Sequence, residues 1–225
     1  MNPAVEAAPS RWVSTGQLPT PAVVQGLVEE AHAHFATVDQ GSLATTIPAL
    51  AAASPASFGI SVAFTNGAAF HTGDWAVPFS IQSLSKPFLF ALVCEAIGEQ
   101  LARDALGVNS TGLPFNSVLA VEPTVEGLSN PMMNAGAIAT TSLVPGKDAA
   151  AQWRFIEDGL SRFAGRHLLV DEAVYHSEQA SNAGNASNEG IASLLSAHQQ
   201  LWSDPATAID LYTRQCALLV TAANL

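Results

Sequence analysis

A serine and a lysine three positions apart are the residues whose types and spacing fit covalent chemistry. Ser83 and Lys86 bound the segment Ser-Leu-Ser-Lys, which is followed by a proline and an apolar run. Residues three apart on a helix share one face, so a helix beginning near Ser83 brings the hydroxyl and the amine together. The positive end of the helix and partial burial both disfavour a charged lysine. A neutral lysine can accept the serine proton, which makes the serine a nucleophile.

The residue after the lysine agrees with this placement. Pro87 is tolerated in the first turn of a helix, where backbone donors lack partners, and it would break a helix interior. The same residues also fit a plain surface helix, with Ser83 or Ser85 as the N-cap and Lys86 in solvent. The choice between the two interpretations depends on the rest of the chain.

Composition excludes several classes of function. The chain has 225 residues, of which 48% are hydrophobic and 12% are charged, with a formal net charge of −11. This length is enough to bury one large core or two lobes around a shared one. The acidic balance argues against binding to nucleic acid or to an anionic membrane surface. We therefore expect neither as a partner, and a small neutral or cationic molecule as the ligand.

The cysteines and the N-terminus indicate a reducing compartment. Cys94 and Cys216 each lie in an apolar helical pattern, which predicts two buried thiols, although a disulfide stays open at this point. The first twelve residues have no basic region followed by an apolar one, so we expect no signal peptide and a cytoplasmic protein. The six histidines lack Cys or Asp at ligand spacing, so no metal site is expected.

The first eighty residues predict one helix and one hairpin. A helix opens at Pro21, with apolar positions at helical spacing up to Phe35, and closes at Gly41. The strand signals are alternating residues 58–64 and a returning strand over residues 68–72. Asn-Gly at positions 66 and 67 joins them, and it is the strongest short signal for a hairpin.

The remainder of the chain predicts helices joined by long loops. One helix ends at Gly165, one carries Ile191 to Leu201, and one begins at Asp204 with proline at its first position. Residues 107–134 and 177–188 are rich in Gly, Pro, Ser and Asn and predict loops that carry function. No strand is expected after residue 200. We divide the chain into a sheet lobe with a helix and hairpin (1–80) and a mainly helical lobe (81–225).

Several longer motifs occur in a fixed order and resemble the bacterial serine-dependent glutaminases, which share the β-lactamase-like fold. The resemblance spans about residues 25 to 225. The segments that carry it are His71-Thr-Gly-Asp74, Pro78-Phe-Ser-Ile-Gln-Ser-Leu-Ser-Lys86, Thr111-Gly-Leu-Pro-Phe-Asn-Ser117, Asn130-Pro-Met-Met-Asn-Ala-Gly-Ala-Ile138, Ser177-Glu-Gln179 and Tyr212-Thr-Arg-Gln-Cys216. The implied fold class is α+β, with an antiparallel sheet beside a helical subdomain, and with the sheet incomplete in this chain.

The resemblance implies hydrolysis of L-glutamine to L-glutamate and ammonia through a serine acyl-enzyme, without a metal or an organic cofactor. Ser83 corresponds to the acylated nucleophile and Lys86 to its activating partner. The resemblance implies that six residues bind the substrate: Gln82, Ser83, Asn134, Glu178, Asn185 and Tyr212. Glu178 would pair with the cationic amino group of glutamine, and the backbone N–H of Ser83 would stabilise the oxyanion. The family also implies a homodimer or a homotetramer.

Each of these residues has a plainer interpretation when it is taken alone. Asn134 fits a turn residue, Asn185 and Glu178 fit loop residues in solvent, and Tyr212 lies on an apolar helical face. Two other functions also remain open. One is a different Ser-x-x-Lys acyl-transfer enzyme of the β-lactamase or penicillin-binding type, although no Lys-Thr-Gly element is present. The other is an inactive glutamine-binding relative, truncated at its C-terminus.

The chain departs from the family pattern at two places. Thr46 precedes Ile-Pro where glutaminases commonly have a tyrosine, which suggests weaker binding or altered selectivity. The sequence stops at Leu225, where the family continues with further strands, a second active-site tyrosine and a second oxyanion donor. Losing one such donor typically costs on the order of a hundredfold or more in rate. We therefore expect the 225-residue polypeptide to be inactive or poorly folded, and its full-length parent to be a glutaminase.

Overall fold

Helices surround two short antiparallel ladders in the computed structural model, which describes residues 19–121, 130–181 and 185–224. Within these residues the strands are β1 (Gly59–Ala63), β2 (Ala69–Gly73), β3 (Phe79–Ser80) and β4 (Leu219–Val220). The α-helices are α1 (Pro21–Phe35), α2 (Ser85–Ile97), α3 (Glu99–Leu106), α4 (Asn134–Ser142), α5 (Ala149–Ala164), α6 (Glu172–Ala180), α7 (Asn185–Ala197) and α8 (Pro205–Cys216). None of the helices in the described ranges is long and apolar enough to span a bilayer.

The predicted hairpin is confirmed, with its strand ends shifted by one or two residues. β1 and β2 pair with Ser61 opposite His71. The turn depends on Asn66, whose Oδ1 accepts the Ala68 N–H at 3.0 Å, and on Gly67 at φ +86°. A positive φ is easy for glycine because it has no Cβ.

The expectation of no strand after residue 200 was wrong. β4 pairs with β3, so Phe79 lies opposite Val220 and Ser80 opposite Leu219. Each strand has two residues, which is too short to show alternation in the sequence. This ladder ends directly before the Ser83 turn, and the Ile81 N–H extends it by donating to Leu218 O at 2.8 Å.

The N-terminal helix is shorter and less buried than the sequence predicts. α1 ends at Phe35, and Gly41 lies beyond it. Val24 and Val28 are buried, whereas Leu27 and Phe35 are more than half exposed. Helical spacing alone cannot tell which part of an apolar stripe meets the neighbouring hairpin.

The core consists chiefly of two apolar clusters that share helix α8. The first joins α4, α7 and α8 around Ile138, Ile191 and Tyr212. The second joins α2 and α5 to α8 around Leu89 and Leu211, with β4 contributing apolar side chains. Because α8 faces both clusters, its polar residues Thr213 and Gln215 are buried.

Two predicted helix boundaries are confirmed, and one predicted loop was largely wrong. Gly165 ends α5 in the left-handed conformation, and the Asp204 side chain caps α8 by accepting the Thr207 N–H at 3.1 Å. The predicted loop over 177–188 is helical at both ends, in α6 and α7, because buried contacts outweigh its weak helix propensity. In the other predicted loop, residues 118–121 form a short 3₁₀ helix, and residues 122–129 lie outside the described ranges. The division of the chain at residue 80 stays a prediction.

A glycine in the first turn of α4 tests the close packing beneath the site. A Cβ at Gly136 would lie 1.8 Å from Asn130 O, which is backbone and cannot move aside cheaply. We expect Gly136→Ala to lower the free energy of unfolding by roughly 3 kcal/mol in urea unfolding. Gly190→Ala is the matched control, because a Cβ on that helical glycine meets nothing within 4 Å. The control should gain up to about 1 kcal/mol through helix propensity, and equal effects would contradict the packing argument.

Candidate active site

One cavity of about 380 Å³ brings together most of the residues predicted from the sequence. Five of them line it: Gln82, Ser83, Asn134, Glu178 and Tyr212. They come from four separate parts of the chain, namely the turn before α2 and helices α4, α6 and α8. Predicted residues from distant positions therefore meet at one place. The plainer interpretations, which treat them as unrelated loop and core residues, do not explain this meeting.

The nucleophile candidate lies on a tight turn that opens into the cavity. Gln82–Leu84 form one turn of 3₁₀ helix, and the α-helix proper begins at Ser85. Gln82 has φ 49°, a left-handed conformation that is uncommon for a residue other than glycine. Ser83 is exposed, as a nucleophile must be. Pro87 falls in the first turn of α2, as predicted.

The lysine is buried and is held by oxygen acceptors. Lys86 is 4% exposed, and its Nζ donates to Asn134 Oδ1 at 2.8 Å and to Met132 O at 3.2 Å. Burial lowers the pKa of Lys86, as the sequence predicts. Within the described residues these two oxygens, and not the Ser83 hydroxyl, are its hydrogen-bond partners. The expected direct contact with Ser83 is therefore corrected, because two carbonyl oxygens attract the amine more strongly than a hydroxyl does.

Asn134 connects the lysine to the rest of the site. Its backbone N–H, at the start of α4, donates to Phe115 O at 2.8 Å. Its side-chain Oδ1 accepts from Lys86 and from the Tyr212 hydroxyl, the latter at 3.3 Å. Because both lone pairs of Oδ1 accept hydrogen bonds, the Nδ2 group of Asn134 is left to donate to a different acceptor. Asn134 is thus a helix-start residue whose side chain is fixed by its partners, and it is not a plain turn residue.

The tyrosine lies beside the serine and remains a phenol. Tyr212 is 3% exposed and its hydroxyl is within hydrogen-bonding reach of Ser83. Burial is the first cause that raises the pKa of Tyr212 well above its ordinary value. The hydroxyl therefore keeps its proton, so it can donate one hydrogen bond within the site.

A buried carboxyl group lines the same cavity as the serine and has no cationic partner among the described residues. Glu178 is 7% exposed, and its Oε2 is buried with no hydrogen-bond partner among the described residues. Burial raises the pKa of Glu178 to about 7. The plainer interpretation of Glu178 as a solvated loop residue is wrong, because the residue is buried on α6. An unpaired carboxyl in such a place favours a ligand that carries a positive charge.

The sequence missed an asparagine that lies in the site. Asn188 is 5% exposed, lines the cavity, and accepts the Asn134 Nδ2–H through its Oδ1 at 3.2 Å. Its spacing of three from Asn185 on α7 was the available signal, because such residues share a helix face. The side chain of Asn185 lies outside the described residues, so its binding role stays a prediction.

The thiols only partly match the sequence prediction. Both cysteines are free; Cys216 is buried and Cys94 is partly exposed, which corrects the prediction of two buried thiols. Cys216 also lines the cavity, and burial raises its pKa to about 12, so it stays a neutral thiol. Within the described residues no group of three or more His, Cys, Asp or Glu side chains is placed to hold a metal ion.

The segment that carries Thr46 forms another wall of the cavity. Thr46 and Ile47 line it, and this segment is attached to α6 on both sides of Glu178. The Ser181 hydroxyl donates to Thr46 O at 2.9 Å, and the Ser177 hydroxyl accepts the Ala49 N–H at 3.0 Å. These contacts fix the segment against the helix that carries Glu178.

Comparisons with known proteins identify the family of the chain. The family model described as Glutaminase matches residues 41–225. The chain belongs to the glutaminase family. Glutaminase 2 of Yersinia pestis is 52% identical over 214 residues, which are 95% of this chain and 62% of the relative. A glutaminase of Colwellia psychrerythraea is 42% identical over 92% of this chain and 66% of the relative.

Solved structures show the same fold. The probable glutaminase ybaS superposes with a TM-score of 0.87 at 33% identity, over 92% of this chain and 66% of that one. A probable glutaminase from Bacillus subtilis, complexed with 6-diazo-5-oxo-L-norleucine, gives a TM-score of 0.72 at 28% identity, over 95% and 63%. The predicted β-lactamase-like fold class is thereby confirmed. The chain spans less than two thirds of the length of these curated relatives.

The raised pKa of Glu178 predicts a dependence of stability on pH. Its folded-state value of about 7 lies above the ordinary value of 4.5, so the folded state retains the proton more strongly. The resulting stability is complete below pH 4.5 and is lost as the pH rises through 7. Compared with wild type, Glu178→Gln should gain about 3 kcal/mol in free energy of unfolding between pH 4.5 and 8.

Urea unfolding at the two pH values measures this difference. Glu172→Gln is the matched control, because its carboxylate lies on the same helix with 72% of its side chain exposed. The control should follow wild type at both pH values. A Glu178→Gln protein that also follows wild type would show that the carboxyl is not buried as described.

Proposed function

We propose that this protein hydrolyses L-glutamine to L-glutamate and ammonia through an acyl intermediate on Ser83. The observation that carries the proposal is the single cavity that holds both an exposed serine and the unpartnered carboxyl of Glu178. A glutamine molecule offers an amide carbon to the first and an ammonium group to the second. The family of the chain and the names of its relatives support the same substrate.

The proposed reaction has two halves. In the first, the Ser83 Oγ attacks the side-chain amide carbon, the serine proton passes to Lys86 as general base, and the oxyanion accepts the Ser83 N–H. Collapse breaks the carbon–nitrogen bond, and the proton on Lys86 leaves with the nitrogen as ammonia. In the second half, water attacks the acyl carbon and gives a proton to Lys86. The bond to Ser83 Oγ then breaks, the serine oxygen takes that proton back, and L-glutamate leaves. Lys86 suits these proton transfers because burial lowers its pKa.

The ends of the substrate find partners on opposite walls. Glu178 would bind the α-ammonium group, and binding would keep the carboxyl ionised at neutral pH, against the effect of burial. Asn188, Gln82 and the predicted Asn185 would donate amide hydrogen bonds to the carboxylate or amide oxygens. Tyr212 would position the serine and Asn134 together.

The cellular setting belongs to the same proposal. We infer a cytoplasmic enzyme, and the two free cysteines fit a reducing compartment. A homodimer or homotetramer is the proposed assembly, in agreement with the resemblance to the family. Nucleic acid and membrane are not proposed as partners, because the net charge is −11.

Release of ammonia from L-glutamine tests the function. It should be measured for the purified chain, and for a chimaera that adds the part of the Yersinia pestis relative that this chain does not match. We expect release of ammonia at least by the chimaera. The Ser83→Ala variant of a protein that releases ammonia should do so more slowly by a factor of about 10⁴ or more, because the nucleophile is lost. Leu84→Ala is the control, because its side chain is the exposed neighbour of Ser83.

Two results would contradict the proposal. One is release that persists in Ser83→Ala. The other is an absence of release from both proteins while they still bind L-glutamate in calorimetry, which would favour the inactive glutamine-binding relative.

A further inference from the structure

A buried hydrogen-bond chain fixes the backbone of the turn that holds Ser83. The Ser85 hydroxyl donates to Gln82 O at 2.8 Å, and the same oxygen accepts the backbone N–H of Ser85. The Gln215 Nε2 amide donates to the Ser85 hydroxyl at 3.1 Å. Ser85 and Gln215 are both fully buried. The chain therefore runs from α8 to the carbonyl group directly before the nucleophile.

The direction of each hydrogen bond follows from the chemistry of the groups. A carbonyl oxygen cannot donate, so the single Ser85 proton must point to Gln82 O. Ser85 Oγ then accepts, so Gln215 must present its NH₂ end. This choice leaves Gln215 Oε1 buried without a partner in the part of the chain that the structure describes. A buried acceptor left unpaired is unfavourable, and its presence indicates that the orientation of the amide matters.

The carbonyl of Gln82 and the N–H of Ser83 belong to one peptide plane. In a trans peptide these two groups point in opposite directions. Because Ser85 holds Gln82 O towards the interior, the Ser83 N–H is directed away from the interior, towards the side on which Ser83 is exposed. Gln82 adopts φ 49°, so the residue that carries this carbonyl has a backbone conformation that the local chain does not favour.

We propose that Ser85 and Gln215 are positioning residues that aim the Ser83 N–H at the oxyanion. This inference rests on the proposed function and goes beyond it, because neither side chain lines the cavity. Donors for an oxyanion act by being fixed in advance at the place where charge develops. Without the Ser85 hydroxyl, the Gln82–Ser83 peptide plane can rotate towards a more common conformation. The Ser83 N–H then no longer points at the oxyanion.

The test compares two buried serines that have the same hydrogen-bond pattern. The Ser142 hydroxyl donates to Ala139 O at 2.7 Å and accepts the Trp202 N–H at 3.1 Å. Ser142 is 2% exposed. It lies eight residues from Asn134 on α4, about 12 Å along the helix axis. Ser85→Ala and Ser142→Ala therefore remove equivalent interactions, one at the nucleophile turn and one away from it.

We expect Ser85→Ala to lower kcat for ammonia release by about tenfold to a hundredfold, as for a misplaced oxyanion donor. The affinity for L-glutamate should stay within about twofold, because that donor acts chiefly in the transition state. Gln215→Met keeps the length of the side chain but removes the donor, and should lower kcat less. The double variant should be no worse than Ser85→Ala, because both act through one chain. Ser142→Ala should leave kcat within about twofold.

A second measurement is independent of turnover. In ¹⁵N- and ¹³C-labelled protein, Ser85→Ala should move the Gln82 carbonyl-carbon signal and the Ser83 amide signal, and Ser142→Ala should move neither. Should neither the wild-type chain nor the chimaera release ammonia, the proposed function fails and these signals alone decide the positioning. If Ser85→Ala fails to fold, Gln215→Met decides by the same two measurements. Equal kcat losses in the Ser85 and Ser142 variants, or unmoved Gln82 and Ser83 signals, would overturn the inference.

Discussion

The burial of the Lys86 amine is the constraint on which the rest of the site depends. An amine out of water needs oxygen acceptors, and here Met132 O and Asn134 Oδ1 supply them. Met132 belongs to the turn before α4, and Asn134 is the first residue of that helix. The close approach of Gly136 to Asn130 brings the turn and the helix together. Packing of α4 against α2 and α8 therefore keeps the lysine out of water, and this burial lowers its pKa.

Burial acts on both charged groups to which the proposed function gives a role. It lowers the pKa of Lys86 and raises that of Glu178, so both are displaced towards their neutral forms. In the proposed function, the ammonium group of the ligand would restore the charge of the carboxyl, and the lysine would accept the serine proton. One physical cause, removal from water, thus lies behind both proposed roles.

Much of the site could be predicted because its residues lie in motifs with local meaning. The spacing of Ser83 and Lys86 and the proline after them gave the helix start, and Asn-Gly at 66 and 67 gave the hairpin. Asn188 was missed because it lies in an Asn- and Ser-rich segment that predicts a loop, although it is helical. The partners of Lys86 were also missed, since they come from 46 and 48 residues further along the chain. Contacts of that kind are set by tertiary packing and leave no local pattern. The strand β4 was also missed, because two residues are too few to show an alternating pattern.

The most direct test of this account is the titration of Lys86 itself. The chain has only two lysines, Lys86 and Lys147, and Lys147 lies in an exposed position. With ¹³C-labelled lysine, two ε-carbon signals can be followed by NMR as the pH rises, and Lys86→Met assigns them. The account predicts that the Lys86 signal titrates at a pH below the ordinary lysine pKa of 10.5. A Lys86 signal that titrates at or above this ordinary value would contradict it.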